Sequence, residues 1–196
     1  NAVAVAELVM GLMIAIDRKI PAANADFAHG VWNKAHYAQA QGLKGQALAI
    51  LGLGNIGFEV AARAKSFGLT LHALRSADRS PIRQQKIEEL EIQLHGTHSD
   101  LLGAADIVTL HLPLTVDTQN IVNSQFLNHM KPGAMLINTS RGGLVNEESL
   151  LQAMNERDIR VGLDVYSSEP TEGFSEWTSP LSGHPNFVGT HHIGAS

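Results

Sequence analysis

Apolar residues recur at Val5, Leu8, Val9, Leu12, Met13 and Ile16. That spacing puts them on one face of a helix over residues 2–16. Pro21 is expected to close the helix. So wide an apolar face must be covered, either by the rest of the domain or by a second subunit. Residues 22–45 are mixed and polar, with Trp32 and Tyr37. Beyond them the pattern alternates. Ala47–Leu51 is a short continuous apolar run, read as a strand. Residues 55–66 have a helical pattern that ends before Gly68, a C-terminal signal. Thr70–Leu74 reads as a strand. Ser80-Pro81 opens a helix, with Ser as cap and Pro at the first helical position. Ile92–Leu94 is a weaker strand; Ile107–Leu110, Ala134–Asn138 and Val161–Val165 are stronger ones, and a last strand precedes His191 and His192. Helices fall near 100–104, 124–130 and 147–156.

Strands that are apolar runs without alternation are buried on both faces. Strand and helix in turn mean right-handed crossovers, so the expected fold is α/β, a Rossmann-type doubly wound parallel sheet in a single domain. Residues 166–186 break the rhythm. Pro170, Pro180 and Pro185 mark a long loop there, and loops of that length are often functional.

Composition narrows the class. The 196 residues are 44% hydrophobic and 17% charged, a globular balance. A net charge of −5 argues against a nucleic-acid partner. There is no cysteine, so disulfides and thiolate metal sites are excluded; no metal site is expected, and a reducing, cytoplasmic setting fits. The longest apolar run, Leu8–Ile16, falls short of the about 20 residues a membrane span needs, so no membrane partner is expected. The chain opens on Asn1 rather than Met and stops at Ser196 just after site-like residues, which suggests a piece of a longer protein.

The first chemistry lies in "ILGLGNIG", which carries Gly52-x-Gly54-x-x-Gly57 between a strand and a helix. That context separates a dinucleotide-binding loop from a plain glycine-rich turn. Gly52 allows the tight turn, Gly54 lets the backbone approach a pyrophosphate, and Gly57 lets helix and strand pack closely. The amides of Asn55 and Ile56 then face the phosphates. About 20 residues on, an acid would hold the ribose of NAD. "LRSADRS" places Arg75, Ser76 and Arg79 there instead. A guanidinium matches a phosphate bidentately, so the expected cofactor is NADP in preference to NAD. The plainer alternatives are a solvated Arg75, or one stacked on adenine with NAD bound.

Three later segments add reactive groups. "INTSRGGLVNE" places Arg141 after a strand, "GLDVYSSEP" places Asp164 and Glu169 after the next, and "PNFVGTHHIGAS" places His191 and His192 after the last. Ligands of open α/β sheets bind at the carboxyl ends of strands, so an Arg, a Glu and a His can converge there. A His takes the proton when an alcohol is oxidised and returns it on reduction. A Glu bonded to it fixes its tautomer. An Arg holds a carboxylate and polarises a carbonyl. Taken singly, each has a bland reading: a surface histidine, or turn chemistry for a Glu before a Pro.

These segments, with "AVAELVMGLM", "ADIVTLHLPLT" and "MKPGAMLINTSRGGLVNEESL", resemble the D-isomer-specific 2-hydroxyacid dehydrogenase family over nearly the whole chain. The resemblance implies that Arg141 binds substrate and cofactor, that His192 is the acid/base beside the cofactor, and that Glu169 is its partner. It implies that Asp164 holds the nicotinamide carboxamide. Leu112, Pro113, Thr139, Ser140 and Gly194 would line the cofactor, with Thr118 near it. His191 stands where the family commonly has Pro. Within the family, "VAEL", "AILGLG" and "HIGAS" are most like the phosphoglycerate dehydrogenase branch, which usually uses NAD; Arg75 departs from it toward NADP-linked glyoxylate or hydroxypyruvate reductases. A nucleotide-sensing, corepressor-like module is the non-enzymatic alternative. The family further implies that residues 1–196 are the dinucleotide-binding domain, with the substrate domain absent from this chain, and that helix 2–16 is a hinge or dimerisation helix in a homodimer acting on a small 2-hydroxy acid. A chain without the second domain is expected to bind cofactor and turn over poorly, because nothing closes over the site to exclude water.

Overall fold

The computed structural model describes residues 1–76 and 80–195; Arg79, one of the expected cofactor residues, lies outside them. Seven parallel strands form one sheet: β1 (Ala47–Leu51), β2 (Thr70–Leu74), β3 (Gln93–His95), β4 (Ile107–Leu110), β5 (Met135–Asn138), β6 (Arg160–Leu163) and β7 (Phe187–Gly189). Their order is β3-β2-β1-β4-β5-β6-β7. The chain winds outward from β1 to one edge, then returns to β4 and winds to the other. The reversal between β1 and β4 is the switch point where such sheets bind ligands.

Helices cover both faces, as the apolar strands require. α1 (Ala2–Asp17), α4 (Asn55–Ser66) and α5 (Pro81–Glu89) close one core, with Met13, Ala61 and Ile87 inside it. α6 (His98–Ala104), α7 (Ser124–His129) and α8 (Glu147–Arg157) close the other, with Leu101, Leu127 and Leu150 inside it. β4 and β5 are buried along their whole length. Among the described residues no helix is long and apolar enough to cross a membrane.

The apolar face of α1 is covered from within. Val9, Leu12 and Met13 are buried against α4 and the β5–β6 part of the sheet. A Cβ at Gly162 would lie 3.0 Å from Ile16 Cδ1 and 3.3 Å from Leu12 Cβ, so a glycine in β6 lets the helix sit this close. The face therefore needs no second subunit. Asp17 locks its far end by accepting from the amides of Gln41 at 3.2 Å and Gly42 at 3.0 Å.

Two expectations about helix ends are corrected. Pro21 does not close the first helix; it sits in the first turn of a second, α2 (Ile20–Ala28), after a left-handed Lys19 with φ 51°. Proline is tolerated there because a first-turn amide has no partner to lose. α2 and the short α3 (Lys34–Tyr37) have no buried residue, so they left no apolar period to read. Ser80 does precede α5, but its side chain makes no capping bond. Thr97, Asn123 and Asn146 do cap their helices, by accepting from Asp100, Phe126 and Ser149 amides.

Candidate active site

The site follows from strand register. Leu51, Leu110, Asn138, Leu163 and Gly189 lie side by side across β1, β4, β5, β6 and β7. The next residue of each strand end is therefore Gly52, His111, Thr139, Asp164 and Thr190, one row along the carboxyl edge. Of the expected residues, all but Glu169 and the undescribed Arg79 gather behind this row in a cleft with two lobes. A lobe of 750 Å³ is lined by Asn55, Ile56, Gly57, Thr139, Ser140, Arg141, Asp164, His192 and Gly194. A lobe of 520 Å³ is lined by Gly52, Arg75, Ser76 and Thr118. Gly54, Leu112 and Pro113 line both.

The three loop glycines have different surroundings. Gly52 has φ +105°, and a Cβ there would collide with the carbonyl of His111. A Cβ at Gly57 would collide with the carbonyl of Gly52. These two glycines hold β1, β4 and α4 together. At Gly54 a Cβ would meet nothing within 4 Å, so the space beside its backbone is open to a ligand. Gly54 is also the N-cap of α4, and no side chain caps that helix. A cofactor pyrophosphate fits this cradle, since first-turn amides that no side chain satisfies seek an acceptor. Of the buried side-chain atoms without a partner among the described residues, Thr139 Oγ1 and His111 Nδ1 lie here. Thr118 holds the loop beside them: its hydroxyl donates to the Pro113 carbonyl at 2.6 Å and accepts from the Thr115 amide at 2.8 Å.

His192 Nδ1 lies 3.0 Å from Glu169 Oε1. Among the described residues His191 makes no such contact, so of the adjacent histidines it is His192 that meets the Glu169 carboxylate. His192 has φ 56°, a left-handed backbone that non-glycine residues seldom adopt. Asp164 holds this turn. The residue is 1% exposed and its carboxylate accepts from Thr190 Oγ1 at 2.6 Å, the Ile193 amide at 2.9 Å and the Gly194 amide at 2.8 Å. A carboxylate offers about four acceptor positions, so one remains, on Oδ2.

Arg141 lies across the lobe, its guanidinium donating to the Ser140 carbonyl at 2.6 Å. The turn carrying it is braced by Asn138, a residue the sequence reading passed over. Buried at the end of β5, Asn138 donates to the Arg141 carbonyl at 2.9 Å and accepts from the Ser140 amide at 3.0 Å. The signal was a polar residue closing an apolar strand. Gly142 follows because a Cβ there would overlap the backbone of Tyr166.

His111 and Tyr166 were likewise missed. His111 borders both lobes and faces Thr109 Oγ1 through Nε2 at 2.9 Å. Burial pushes its pKa down to about 4, so its ring is neutral near pH 7. Tyr166 donates to the Thr190 carbonyl at 3.0 Å and is stacked edge-on against Trp177, with centroids 4.8 Å apart. Burial, with Asp164 and Glu147 nearby, pushes its pKa up to about 12. It stays a neutral brace for the strand end before His192.

The profile of the family described as D-isomer specific 2-hydroxyacid dehydrogenase, NAD binding domain, matches residues 10–194. D-3-phosphoglycerate dehydrogenase of Methanocaldococcus jannaschii is 36% identical over all of this chain, which spans 36% of that protein. Hydroxypyruvate reductase of Thermotoga maritima is 36% identical, again over the whole chain and 61% of the relative. Among solved structures, an acyclic imino acid reductase (Bsp5) in complex with NADPH and D-Arg superposes with a TM-score of 0.83 at 28% identity, covering 99% of this chain and 58% of that one. The chain thus spans between about a third and three fifths of the length of these relatives.

Proposed function

The chain belongs to the D-isomer specific 2-hydroxyacid dehydrogenase family, and on that premise we propose that it is the dinucleotide-binding domain of an oxidoreductase. The reaction moves a hydride between a nicotinamide cofactor and a D-2-hydroxy acid or its 2-keto acid. The observation that carries this reading is the His192–Glu169 contact of 3.0 Å at the rim of the lobe that Arg141 also lines.

A bound nicotinamide supplies the hydride acceptor or donor. The chain's own residues do the rest. Glu169 accepts from Nδ1–H of His192, which leaves Nε2 free to take the hydroxyl proton and to return it to a carbonyl oxygen. Arg141 binds the acid's carboxylate and draws charge onto the carbonyl oxygen. The amides of Asn55 and Ile56 and the backbone at Gly54 hold phosphate. The remaining acceptor position of Asp164 takes a carboxamide N–H, and Leu112, Pro113, Thr139, Ser140 and Gly194 form the walls. The substrate domain lies outside this chain, in keeping with the greater length of the relatives. The proposed substrate is phosphoglycerate-like, with glyoxylate or hydroxypyruvate as the alternative. The test is steady-state turnover of the full-length parent with 3-phosphoglycerate, hydroxypyruvate and glyoxylate, with Arg141→Ala and His192→Ala as controls. No turnover on any acid, with tight cofactor binding kept, would turn the reading to a nucleotide sensor.

NADP is the proposed preference, because Arg75 and Ser76 follow β2 where an acid would serve NAD. Arg75→Ala should weaken NADP by roughly 1.5–3 kcal/mol, as for a hydrogen bond to a charged group, and leave NAD nearly unchanged. Equal losses for both cofactors refute it. A homodimer is part of the same reading, but its support moves from α1 to α2 and α3. There Phe27, Val31 and Trp32 are exposed, Trp32 at 79%, and they border a 260 Å³ groove with Tyr37. Trp32→Asp should yield a monomer in sedimentation; a wild-type monomer ends the idea. The proposed location is the cytoplasm, which suits a chain without cysteine.

A further inference from the structure

The 520 Å³ lobe has an apolar wall, including Leu112 and Ile121, and a polar end. That end draws on three stretches: Arg75 and Ser76 just after β2, Arg83 in α5 and His98 in α6. Among the described residues lining it there is no Asp or Glu; Asp100, close to His98 in the chain, does not reach it. Neither Arg75 nor Arg83 makes an ion pair among the described residues.

The placement of each group is fixed by backbone structure. The Arg75 amide donates to the His95 carbonyl of β3 at 2.8 Å. Thr97 caps α6 through the Asp100 amide at 3.1 Å and so sets where His98 starts the helix. Pro81 in the first turn of α5 sets the course of the helix that carries Arg83. Two guanidiniums around one lobe raise the local potential, and an anion seated between them and the imidazole relieves it. A ribose bearing only hydroxyls gives the two guanidiniums nothing to neutralise; a phosphate on it accepts from both and from an imidazole N–H.

We infer that Arg83 and His98 are specificity-determining residues that complete, with Arg75 and Ser76, the receptor for the 2′-phosphate of NADP. This rests on the NADP reading above and extends it from one strand end to two helices. Both residues are exposed, so their substitution leaves the core untouched.

The test is calorimetric titration of the full chain with NADP, NAD, adenosine 2′,5′-bisphosphate and 5′-ADP, on wild type and on Arg83→Ala, Arg83→Lys, His98→Ala and Arg75→Ala. Arg83→Ala should weaken the two 2′-phosphorylated ligands about tenfold, the scale of one charge-assisted hydrogen bond. NAD and 5′-ADP should stay within about twofold, Arg83→Lys should recover part of the loss, and His98→Ala should show a smaller loss of the same sign. If Arg75→Ala discriminates between the ligand pairs and Arg83→Ala does not, the inference fails and the NADP reading stands. If neither substitution discriminates, both fail.

Discussion

Asp164→Asn tests how the site is held together. The side chains are nearly isosteric, so packing is unchanged and the effect isolates the acceptors. Asp164 is 1% exposed and meets three donors at 2.6, 2.9 and 2.8 Å. The Asn carbonyl can keep Thr190 Oγ1 and the Ile193 amide. Its NH₂ then faces the Gly194 amide, so one bond to a charged acceptor is lost and a buried donor is left opposed to another. Losing a bond to a charged group costs about 1.5–3 kcal/mol, and stranding a donor raises that to about 2–4 kcal/mol. Thr190→Val removes only the 2.6 Å bond and should cost about 1.5–3 kcal/mol. Because both act on one carboxylate, the double variant should cost less than the sum. Urea denaturation at pH 7, compared at constant slope, reads each value. The ¹⁵N shifts of His192 report whether the proton stays on Nδ1. A loss below about 1 kcal/mol for Asp164→Asn, with strict additivity, would refute Asp164 as the anchor of the His192 turn.

Gly142→Ala drives a methyl into the Tyr166 backbone and should cost about 3 kcal/mol or more, seen as a fall in urea midpoint; a neutral result would mean the Arg141 turn is looser than described. Leu12→Ala, at a position 2% exposed, should cost about 2–5 kcal/mol without altering sedimentation, since α1 is covered within the domain. Stability should fall with acid. The pKa of His111 is about 4 in the folded chain against about 6.5 unfolded, so its contribution is complete above pH 6.5 and is lost as pH falls, by roughly 3 kcal/mol at pH 4. His72, also lowered by burial and then by His95 and Lys131, acts with the same sign. His111→Gln should flatten this slope in urea titrations between pH 7 and 4; an unchanged slope removes His111 as its source.

The parallel sheet was legible because burial on both faces leaves an unmistakable mark. Runs such as Ile107–Leu110 have no polar side to show, and between two glycine or proline signals they fit only an inner strand. α2 escaped notice for the opposite reason. None of its residues is buried, so no period distinguishes Ile20–Ala28 from a loop, and Pro21 alone reads as an end where it marks a beginning. In the site, charged and aromatic chemistry could be read from residue type: Arg141, Glu169 and His192 lie where successive strands end. Residues that act by bracing were harder to read. Asn138 showed only as a polar residue closing an apolar strand, and Tyr166 reaches the Thr190 carbonyl 24 positions away, a pairing that exists only once the sheet has set the register. Arg83 and His98 belong with these, because their elements meet β2 only in the folded lobe.

The side chain of Asn1 donates to the Ala195 carbonyl at 3.0 Å, and Ala2, Val5, Gly194 and Ala195 form one wall of the larger lobe. That wall is therefore a seam, built from the two stretches of the chain most remote in sequence and stitched by few bonds. Because Asn1 is also the N-cap residue of α1, its bond to Ala195 couples the rim on which His192 stands to the helix packed against the sheet.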